Sequence, residues 1–598
     1  MVLLLGLLSA CGGGSGAVGG PIVNPNVLSA GLVALPGGDG GRAAVRLFPS
    51  DGETSRWCVY RAWPDETIHV FDNCNAGAPQ AVEFPRGHEG ELLLFKVLPA
   101  SDRLYLFTYD ARRNVPSGRI PGVLIDGVDI WELGGAPRLV AETMPLGGFD
   151  NLIHAVAQPG GLTVCAIQRC FSVVAGSPPQ EWQLAGLGER HFVDLVLHGD
   201  SVDALVRSAD NASTGEPPTS SFAYAHARLS PMAASVEPIS ADCVPFRFSA
   251  PAGMVSWRCA DTPADFAEIL RTDLARMPHG GLIDLGASNE EGRIAWNQVY
   301  YLNGLMQLAG GSLPALSAAA DWSPLKQRIR AEVQLLALRG VSSDSGYQAR
   351  RYSLRRTPLV VALHLGRIAT TLERAARTGH DSPEAASTRN RLWSQLWELR
   401  GTLEQLGQAV DAGQSFVTLK QRRSADFWCD GTTAPFNYLS AYVHGLLALR
   451  PADAAALDRA ALLMQPILRL EGLESASSWR YWWAEGRDGW AASDGVSINT
   501  PAYAGYPSLA HISYRTMDAA ALLRLHALHP DAVSMQVVVQ LRQLLARGAL
   551  LPALMEEFAD RGEAVLLDPA VARRFARSAG PWELQSQVWA LEQLASKR

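Results

Sequence analysis

Residues Trp479–Asp518 read WRYWWAEGRDGW, AASDGVSINTPAYAGYPSLA and HISYRTMD in succession. Four tryptophans, Trp479, Trp482, Trp483 and Trp490, lie within the first twelve of these residues. A soluble core does not need so many amphipathic rings beside so many polar groups, whereas a cleft that stacks and orients sugar rings does. We therefore expect a sugar-binding cleft here, with the polar candidates Glu485, Arg487, Asp488, Asp494, Asn499, Tyr503, Tyr506, His511, Arg515 and Asp518.

The bulk composition bounds the class of protein. A chain of 598 residues is too long for one hydrophobic core and predicts two or three domains. Its hydrophobic content of 47% and charged content of 19% are those of a globular protein. The formal net charge of −7 gives no basic surplus, so we expect no nucleic-acid partner.

The first residues resemble a bacterial lipoprotein signal. The apolar run Val2–Leu8 is too short to span a bilayer, and Cys11 follows it, ahead of the glycine-rich stretch Gly12–Gly20. The resemblance implies a lipid anchor on Cys11, with residues 1–29 as signal and flexible tether. The positively charged start of such signals is missing, and a chance apolar start with a buried cysteine is the alternative. Because Gly12 replaces the aspartate that retains many lipoproteins in the inner membrane, we expect outer-membrane attachment in a cell envelope, facing the periplasm or the surface.

Six of the other cysteines fall into short-range pairs, which suits an oxidising compartment. Proximity in the sequence predicts disulfides between Cys58 and Cys74, Cys165 and Cys170, and Cys243 and Cys259. The remaining Cys429 is expected to be a buried thiol. No cysteine or histidine spacing typical of a zinc site is present.

Residues 30–261 have the pattern of β-structure, with short apolar runs separated by clusters of Gly, Pro, Asp and Asn. The run Val193–Val206 predicts a hairpin. Repeats of about 40 to 50 residues fit an irregular propeller, and a β-sandwich is the alternative. No catalytic constellation stands out, so we expect a scaffold or binding module.

Near Thr262 the hydrophobic period changes from 2 to 3.6, which predicts a helical domain over residues 262–598. Pro466 is expected to kink or shorten the helix that contains it. The predicted helices are Pro263–Met277, Arg293–Ala309, Trp322–Leu338, Leu359–Arg377, Pro383–Val410, Pro435–Leu449, Ala454–Leu470, Ser508–Leu528, Ala532–Arg547 and Trp582–Ser596.

Five of these helices carry polar and aromatic residues at spacings of three and four, which place them on one helix face. The stripes are Trp296, Tyr300, Asn303 and Gln307; His364 and Arg367; Asn437, Ser440 and His444; Ser508, His511, Arg515 and Asp518; and Trp582, Gln585 and Trp589. The solvated face of a surface helix is the alternative explanation for any one stripe. These stripes, however, contain Trp, Tyr, His and Asn rather than Lys and Glu.

The stripes also recur at regular separations. Trp296, His364, Asn437, His511 and Trp582 follow one another after 68, 73, 74 and 71 residues, with another predicted helix between each pair. Such alternation suits an inner ring of helices that lines a cavity and an outer ring that faces water. We therefore predict a β module, an irregular propeller or a sandwich, followed by an all-α (α/α) toroid of helical hairpins.

This layout resembles D-glucuronyl C5-epimerases and polysaccharide lyases and hydrolases with (α/α) toroids. The stretches that carry the resemblance are Trp296–Tyr301 (WNQVYY), Phe436–Tyr438 (FNY) and His511–Arg515 (HISYR). It covers the helical domain and consists of architecture and short phrases, with no complete family motif.

The resemblance implies chemistry at the carbon beside a uronate carboxylate, which needs a neutralising group, a base and an acid. Arg515 with Asn437 or Asn499 is expected to neutralise the carboxylate. The predicted catalytic residues are His511, Arg515, Tyr506, Tyr514, Asp518 and His444. The predicted substrate-binding residues are Trp296, Tyr300, Asn303, Asn437, Trp479, Trp482, Trp483, Trp490, Glu485, Asn499 and Tyr503.

Two alternatives stay open. A glycoside hydrolase needs two carboxylates, and the candidates are Glu485, Asp488, Asp494, Asp518, Asp426 and Asp430. The other alternative, a non-catalytic lipoprotein that binds a glycan or an envelope partner, needs no catalytic carboxylate. No metalloprotease, phosphate-loop, dinucleotide-binding or nucleophile-elbow motif is present, so we expect no cofactor. The expected partners are a polysaccharide and, through Cys11, a membrane.

Overall fold

The computed structural model has a sheet-rich region followed by a helical region. Strand β18 (Val255–Cys259) ends just before helix α1 (Pro263–Arg276), which agrees with the predicted change of period near Thr262. The structure describes residues 31–34, 42–49, 55–62, 80–83, 92–99, 104–110, 128–133, 138–144, 153–158, 160–166, 168–188, 190–198, 201–208, 224–249, 255–276, 295, 298–339, 358–409, 417–420, 423, 430–577 and 583–597.

Within those residues, four antiparallel sheets of four strands follow one another along the chain. In each sheet, strands that are consecutive in sequence pair with each other. The strands are β1 (Gly31–Ala34), β2 (Arg42–Pro49), β3 (Ser55–Ala62) and β4 (Gln80–Glu83); β5 (Leu92–Pro99), β6 (Leu104–Asp110), β7 (Val128–Leu133) and β8 (Arg138–Met144); β9 (Ile153–Gln158), β10 (Gly161–Ala166), β11 (Arg169–Val174) and β12 (Gln180–Glu181); and β13 (Arg190–His198), β14 (Ser201–Ser208), β15 (Tyr224–Ser230) and β16 (Ala233–Pro238). Strand β17 (Pro245–Ser249) pairs with β18.

The first strands of successive sheets lie side by side, because β1 contacts β5, β5 contacts β9, and β9 contacts β13. Apolar cores fill the space between neighbouring sheets. Phe107 and Val164 belong to one such core, and Trp182 and Ala204 to the next. The predicted hairpin is confirmed, with His198 paired to Ser201 across the turn between β13 and β14.

Two of the three predicted disulfides are confirmed. Cys165–Cys170 joins β10 to β11, and Cys243–Cys259 joins the start of the β17–β18 hairpin to its end. Cys74, the predicted anchor Cys11 and Cys429 lie outside the described residues, so the pairing of Cys58 stays a prediction.

After α1, the helical region holds α2 (Val299–Ala309), α3 (Pro314–Ala319), α4 (Leu325–Arg339), α5 (Pro358–Arg377), α6 (Pro383–Leu406), α7 (Phe436–Leu449), α8 (Ala454–Leu470), α9 (Ala484–Asp488), α10 (Ile512–Leu528), α11 (Met535–Ala546), α12 (Met555–Ala559), α13 (Pro569–Phe575) and α14 (Leu584–Ala595). Short strands β19 (Gly407–Ala409) and β20 (Val417–Leu419) pair between α6 and α7. No helix of the described residues is long and apolar enough to cross a membrane.

Several predicted helix ends are wrong. The helix from Pro383 ends at Leu406 rather than Val410, because Gly407–Ala409 forms β19. The helix expected from Ser508 begins at Ile512, since Leu509 forms a bridge with Arg480 before the helix starts. Pro466 does not shorten α8, which continues to Leu470.

Five helices, α2, α5, α7, α10 and α14, form a circuit of contacts that the turn Pro552–Leu554 completes between α10 and α14, and we call them the inner helices. Helix α2 contacts α5, α5 contacts α7, and α7 contacts α10. The turn Pro552–Leu554 and α12 contact α10, and that turn also contacts α14, which returns to α2. Helices α4, α6, α8 and α11 pack against the inner helices from other sides.

Burial separates the two groups of helices. In α7, 13 of 14 residues are buried, and in α14, 10 of 12. In α8, by contrast, 6 of 17 residues are buried, and in α11, 5 of 12. The inner helices are therefore surrounded, which explains why their polar stripes contain so few Lys and Glu side chains.

Glycine lets two inner helices approach closely. A Cβ on Gly366 of α5 would lie 2.0 Å from the carbonyl oxygen of Ala441 in α7. A Cβ on Gly445 would lie 2.5 Å from the Cα of Gly366. Any side chain at these positions would force the helices apart.

A buried ionic cluster joins the sheet-rich region to the helical region. The guanidinium of Arg577 donates to both carboxylate oxygens of Asp273 at 3.3 and 2.9 Å and to the carbonyl of Pro245 in β17 at 2.7 Å. Asp194 of β13 lies 3.9 Å away. The side chains of Arg577 and Asp273 are 1% and 0% exposed, so this pair depends on its full set of partners.

We expect Arg577→Met to lower the free energy of unfolding by about 3–5 kcal/mol, because it leaves the buried Asp273 carboxylate without its cation. Urea denaturation measures the change. Arg573→Ala is the control, since its partner Asp242 is 87% exposed, and its expected cost is about 1 kcal/mol or less. Similar losses for the two variants would contradict the structural role given to Arg577.

Candidate functional site

A cleft opens among the inner helices and encloses about 600 Å³ of space that no atom fills, its open side included. All five inner helices and α12 contribute to its wall. Apolar groups line part of the wall. The polar residues that line it are Tyr300, Asn303, Arg367, Thr370, Arg374, His444, Thr516, Glu557 and Gln585.

An imidazole and a carboxylate meet in this wall. Nε2 of His444 lies 3.3 Å from Oε1 of Glu557, and the two side chains are 19% and 9% exposed. Burial by itself raises the pKa of Glu557, but His444, Arg374 and Arg524 together outweigh it and lower the pKa to about 2. Glu557 is therefore ionised at any physiological pH.

The neighbouring carboxylate, Glu556, is held beside the cleft. Arg374 forms an ion pair with it, and the side-chain amides of Gln307 and Gln585 donate to Oε2 at 2.6 and 2.9 Å. Burial raises the pKa of Glu556 to about 7 although Arg374 opposes that shift. The contacts join α2, α5, α12 and α14, so Glu556 fixes the position of the carboxylate that follows it.

At another part of the wall, the guanidinium of Arg367 lies over the ring of Tyr300, 4.4 Å from its centroid. Arg367 also donates to the Ala295 carbonyl at 2.5 Å and to the Tyr300 hydroxyl at 3.5 Å. The acceptors in these two contacts, a backbone carbonyl and a hydroxyl, are neutral groups. Burial, and the charge of Arg367, lower the pKa of nearby His364 to about 3, so His364 is neutral.

Asn303 lines the cleft and carries a buried, unpaired acceptor. The residue is 7% exposed, and Oδ1 has no hydrogen-bond partner among the described residues. A buried polar atom without a partner costs about 1–3 kcal/mol, so the site suits a ligand hydroxyl or a water.

Three of the residues predicted to form the site line the cleft: Tyr300, Asn303 and His444. Arg367 and Gln585, from two further stripes, line it as well. The fourth stripe does not, because α10 instead turns Thr516, Met517 and Ala520 toward the cleft. Trp296 and Trp582 lie outside the described residues.

His511 precedes the helix on which it was expected. It is the N-cap of α10, where Nδ1 accepts from the Ser513 N–H at 3.2 Å and lies 2.8 Å from the Ser513 hydroxyl. Burial lowers its pKa well below the ordinary value, and the charges of Arg515 and Arg574 act in the same direction. His511 is neutral and 1% exposed, with a capping role that accounts for its position.

Asp518 faces α7 and the tryptophan-rich stretch rather than the cleft. It accepts from the Ser440 hydroxyl at 2.6 Å and from the indole N–H of Trp479 at 2.8 Å. Burial raises its pKa to about 7. Burial likewise lowers the pKa of Arg515, to about 10, although Asp518 opposes that shift.

The four tryptophans of the opening stretch are core residues, none more than 6% exposed. Their ring faces are covered by protein, so the structure gives them a packing role. Besides the Trp479 bond, the indole N–H groups donate to backbone carbonyls: Trp482 to Thr433, Trp483 to Ala434 and Trp490 to Thr500.

The other predicted residues lie in or under the same loops. Tyr481 packs against Tyr506 and Tyr514 with ring centroids 6.0 and 5.6 Å apart, and burial raises the pKa of both partners. Tyr503 packs on Trp490 at 4.8 Å. Asn437 is 1% exposed near the start of α7, the Asn499 N–H donates to Asp430, and Glu485 pairs with Lys420.

The carboxylates considered for hydrolysis have local partners. Asp430 also accepts from the Ser497 hydroxyl and the Ile498 N–H, Asp488 pairs with Arg487, and Asp494 accepts from the Ala491 N–H. Asp426 lies outside the described residues. None of these side chains lines the cleft.

Glu556, Glu557 and Arg374 are not among the site residues predicted from the sequence. The five-residue helix α12 is too short for a periodic pattern to reveal it. The available signal was two adjacent carboxylates after the apolar run Leu550–Met555, where charge is costly unless it is paired.

Within the described residues, no three His, Cys, Asp or Glu side chains are grouped as a metal ion would require. No family model, no curated protein and no solved structure matches this chain.

We expect Asp518→Asn to flatten the pH dependence of stability. With a pKa of about 7 when folded and the ordinary 3.8 when unfolded, Asp518 binds its proton more tightly in the folded protein. Its contribution therefore makes the free energy of unfolding fall as pH rises from about 4 to 7, by up to about 1.4 kcal/mol per pH unit.

Urea denaturation at several pH values between 4 and 8 measures this slope. Asp488→Asn is the control, because its partner Arg487 lowers the pKa of Asp488 and places its titration below this window. An unchanged slope in Asp518→Asn would contradict the assignment of a proton to the buried carboxyl.

Proposed function

We propose that the helical region is an (α/α) toroid whose central cleft binds and processes one uronate residue of an acidic polysaccharide. The observation that carries the proposal is the composition of the cleft wall. It combines an arginine over a tyrosine ring, a histidine paired with a carboxylate, and an unpaired amide oxygen. These groups come from four helices, α2, α5, α7 and α12.

The architecture is supported by the contacts of both regions. The closed circuit of buried inner helices, with less buried helices packed against it, is the arrangement expected of a toroid. In the sheet-rich region, successive four-stranded meanders whose first strands lie together favour a propeller over a sandwich.

An anionic sugar is proposed because two guanidinium groups, those of Arg367 and Arg374, line the cleft. Since Arg374 is paired with Glu556, Arg367 is the cation proposed to meet the sugar carboxylate. Asn303 adds an acceptor for a sugar hydroxyl. A retaining or inverting hydrolase would need a second carboxylate across the bond to be cleaved, so the described wall favours epimerase or lyase-type chemistry.

The reaction implied is proton removal from the carbon beside the uronate carboxylate. His444 takes this proton, and the electron pair of the C–H bond moves into the carboxylate group, whose added charge Arg367 stabilises. For the epimer, Tyr300 gives a proton to the opposite face and is reprotonated from solvent, while His444 releases to solvent the proton that it took. Alternatively, the neighbouring carbon–oxygen bond breaks, and the leaving oxygen takes a proton from Tyr300, which gives an unsaturated sugar.

The location proposed is the bacterial cell envelope, with a lipid anchor on Cys11 and the outer membrane as the site of attachment. The two disulfides are compatible with this location, because such bonds persist in oxidising compartments. A polysaccharide is the proposed partner of the cleft.

The test is incubation of the full chain with a panel of uronate-containing polysaccharides. We expect ultraviolet absorbance from an unsaturated product, or solvent deuterium uptake at the uronate carbon. Arg367→Gln should lower kcat/KM by about 100-fold or more, because the charge developing on the carboxylate loses its cation. Arg377→Gln is the matched control on the same helix, since Arg377 pairs at the surface with Glu373 and Asp560, and it should stay near wild type.

Thermal melting must show that both variants are folded. Binding of a uronate polymer without any reaction would favour the alternative, a non-catalytic glycan-binding protein. Equal activity of wild type and Arg367→Gln would exclude the cleft as the reaction site.

A further inference from the structure

We propose that His444 and Glu557 form a proton-transfer dyad in which Nε2 of His444 donates to Glu557 and Nδ1 exchanges a proton with the ligand. The identity of that ligand rests on the function proposed above. The protonation state of the imidazole does not rest on that function, because it follows from the contacts within the protein.

The contact indicates which nitrogen carries the proton. Oε1 of Glu557 lies 3.3 Å from Nε2 of His444. An ionised carboxylate only accepts hydrogen bonds, whereas a neutral imidazole has one N–H and one acceptor nitrogen. The neutral ring is therefore protonated on Nε2, and Nδ1 keeps its lone pair.

Both residues of the dyad are fixed in position by their surroundings. His444 belongs to α7, which is buried along nearly its whole length. Glu557 follows Glu556, whose position is fixed by Arg374, Gln307 and Gln585. The carboxylate therefore stays beside the imidazole when a ligand enters.

The charges that act on the dyad come from three elements. Arg374 of α5 and Arg524 of α10 favour the ionised form of Glu557, and Glu556 lies next to it on α12. An ionised partner stabilises the imidazolium that forms when Nδ1 takes a proton, so the pair can act as a base and then as an acid.

The dyad lines the cleft, which distinguishes it from an ion pair with a purely structural role. Arg577 and Asp273 are 1% and 0% exposed and do not line the cleft. His444 and Glu557 both line it, and His444 exposes 19% of its side chain. Glu557 is thus a positioning residue, and His444 is the group that meets the ligand.

Nitrogen-15 chemical shifts of the His444 ring in the full-length protein test the dyad without a substrate. The His444→Gln variant identifies the resonances. In the neutral ring, wild type should show the Nε2–H form, and a ring protonated on Nδ1 would overturn the proposal. Glu557→Gln should lower the ratio of the Nε2–H form to the Nδ1–H form by about tenfold, because Nε2–H loses an ionised acceptor.

Asp560→Asn is the control, because it removes one negative charge just after α12 without touching His444. It should leave the ratio of the two tautomers near that of wild type, and Glu557→Asp should keep the Nε2–H form in excess. A ratio that Glu557→Gln leaves unchanged overturns the dyad. If the tautomer ratio responds as expected and no uronate polymer reacts, the proposed function fails while the dyad stands.

Discussion

The buried carboxylate of Glu556 is the interaction around which the inner helices are arranged. Leaving an anion in the protein interior without partners would cost several kcal/mol. Here Arg374 of α5, Gln307 of α2 and Gln585 of α14 supply the compensating contacts. Each partner comes from a different inner helix, so satisfying one charge fixes three helices relative to α12. Glu557 is placed in the cleft wall as a consequence.

The tryptophan-rich stretch serves the fold in a different way. Between α8 and α10 the chain has little regular structure, and the large rings of Trp479, Trp482 and Trp483 supply the buried area that such loops otherwise lack. Their N–H groups meet two backbone carbonyls and the Asp518 carboxylate. Aromatic rings beside polar groups are thus explained by packing, and the cleft lies on the other side of α10.

The order of regions, the change of period and the inner helices could be predicted from the sequence, because each depends on a periodicity that continues over a whole helix. Tyr300, Asn303 and His444 reach the cleft for the same reason. The fourth stripe does not line the cleft, because periodicity identifies a helix face but does not identify the element that packs against it. Asp518 faces Ser440, whereas Thr516, which was not a predicted site residue, lines the cleft. Glu557 could not be predicted, since its contact with His444 joins residues 113 positions apart on separate helices.

Buried polar atoms without a partner show that the packing of the inner helices is not purely hydrophobic. Among the described residues, such atoms occur on α2, α5, α7 and α14 and at the N-cap of α10: Asn303 Oδ1, His364 Nδ1, Asn437 Oδ1, Trp589 Nε1 and His511 Nε2. Apolar residues of similar volume would avoid a cost of about 1–3 kcal/mol at each position. A water molecule in a polar cleft would supply the missing hydrogen bond. Asn303, which lines the cleft, is the one for which a ligand explains the cost most directly.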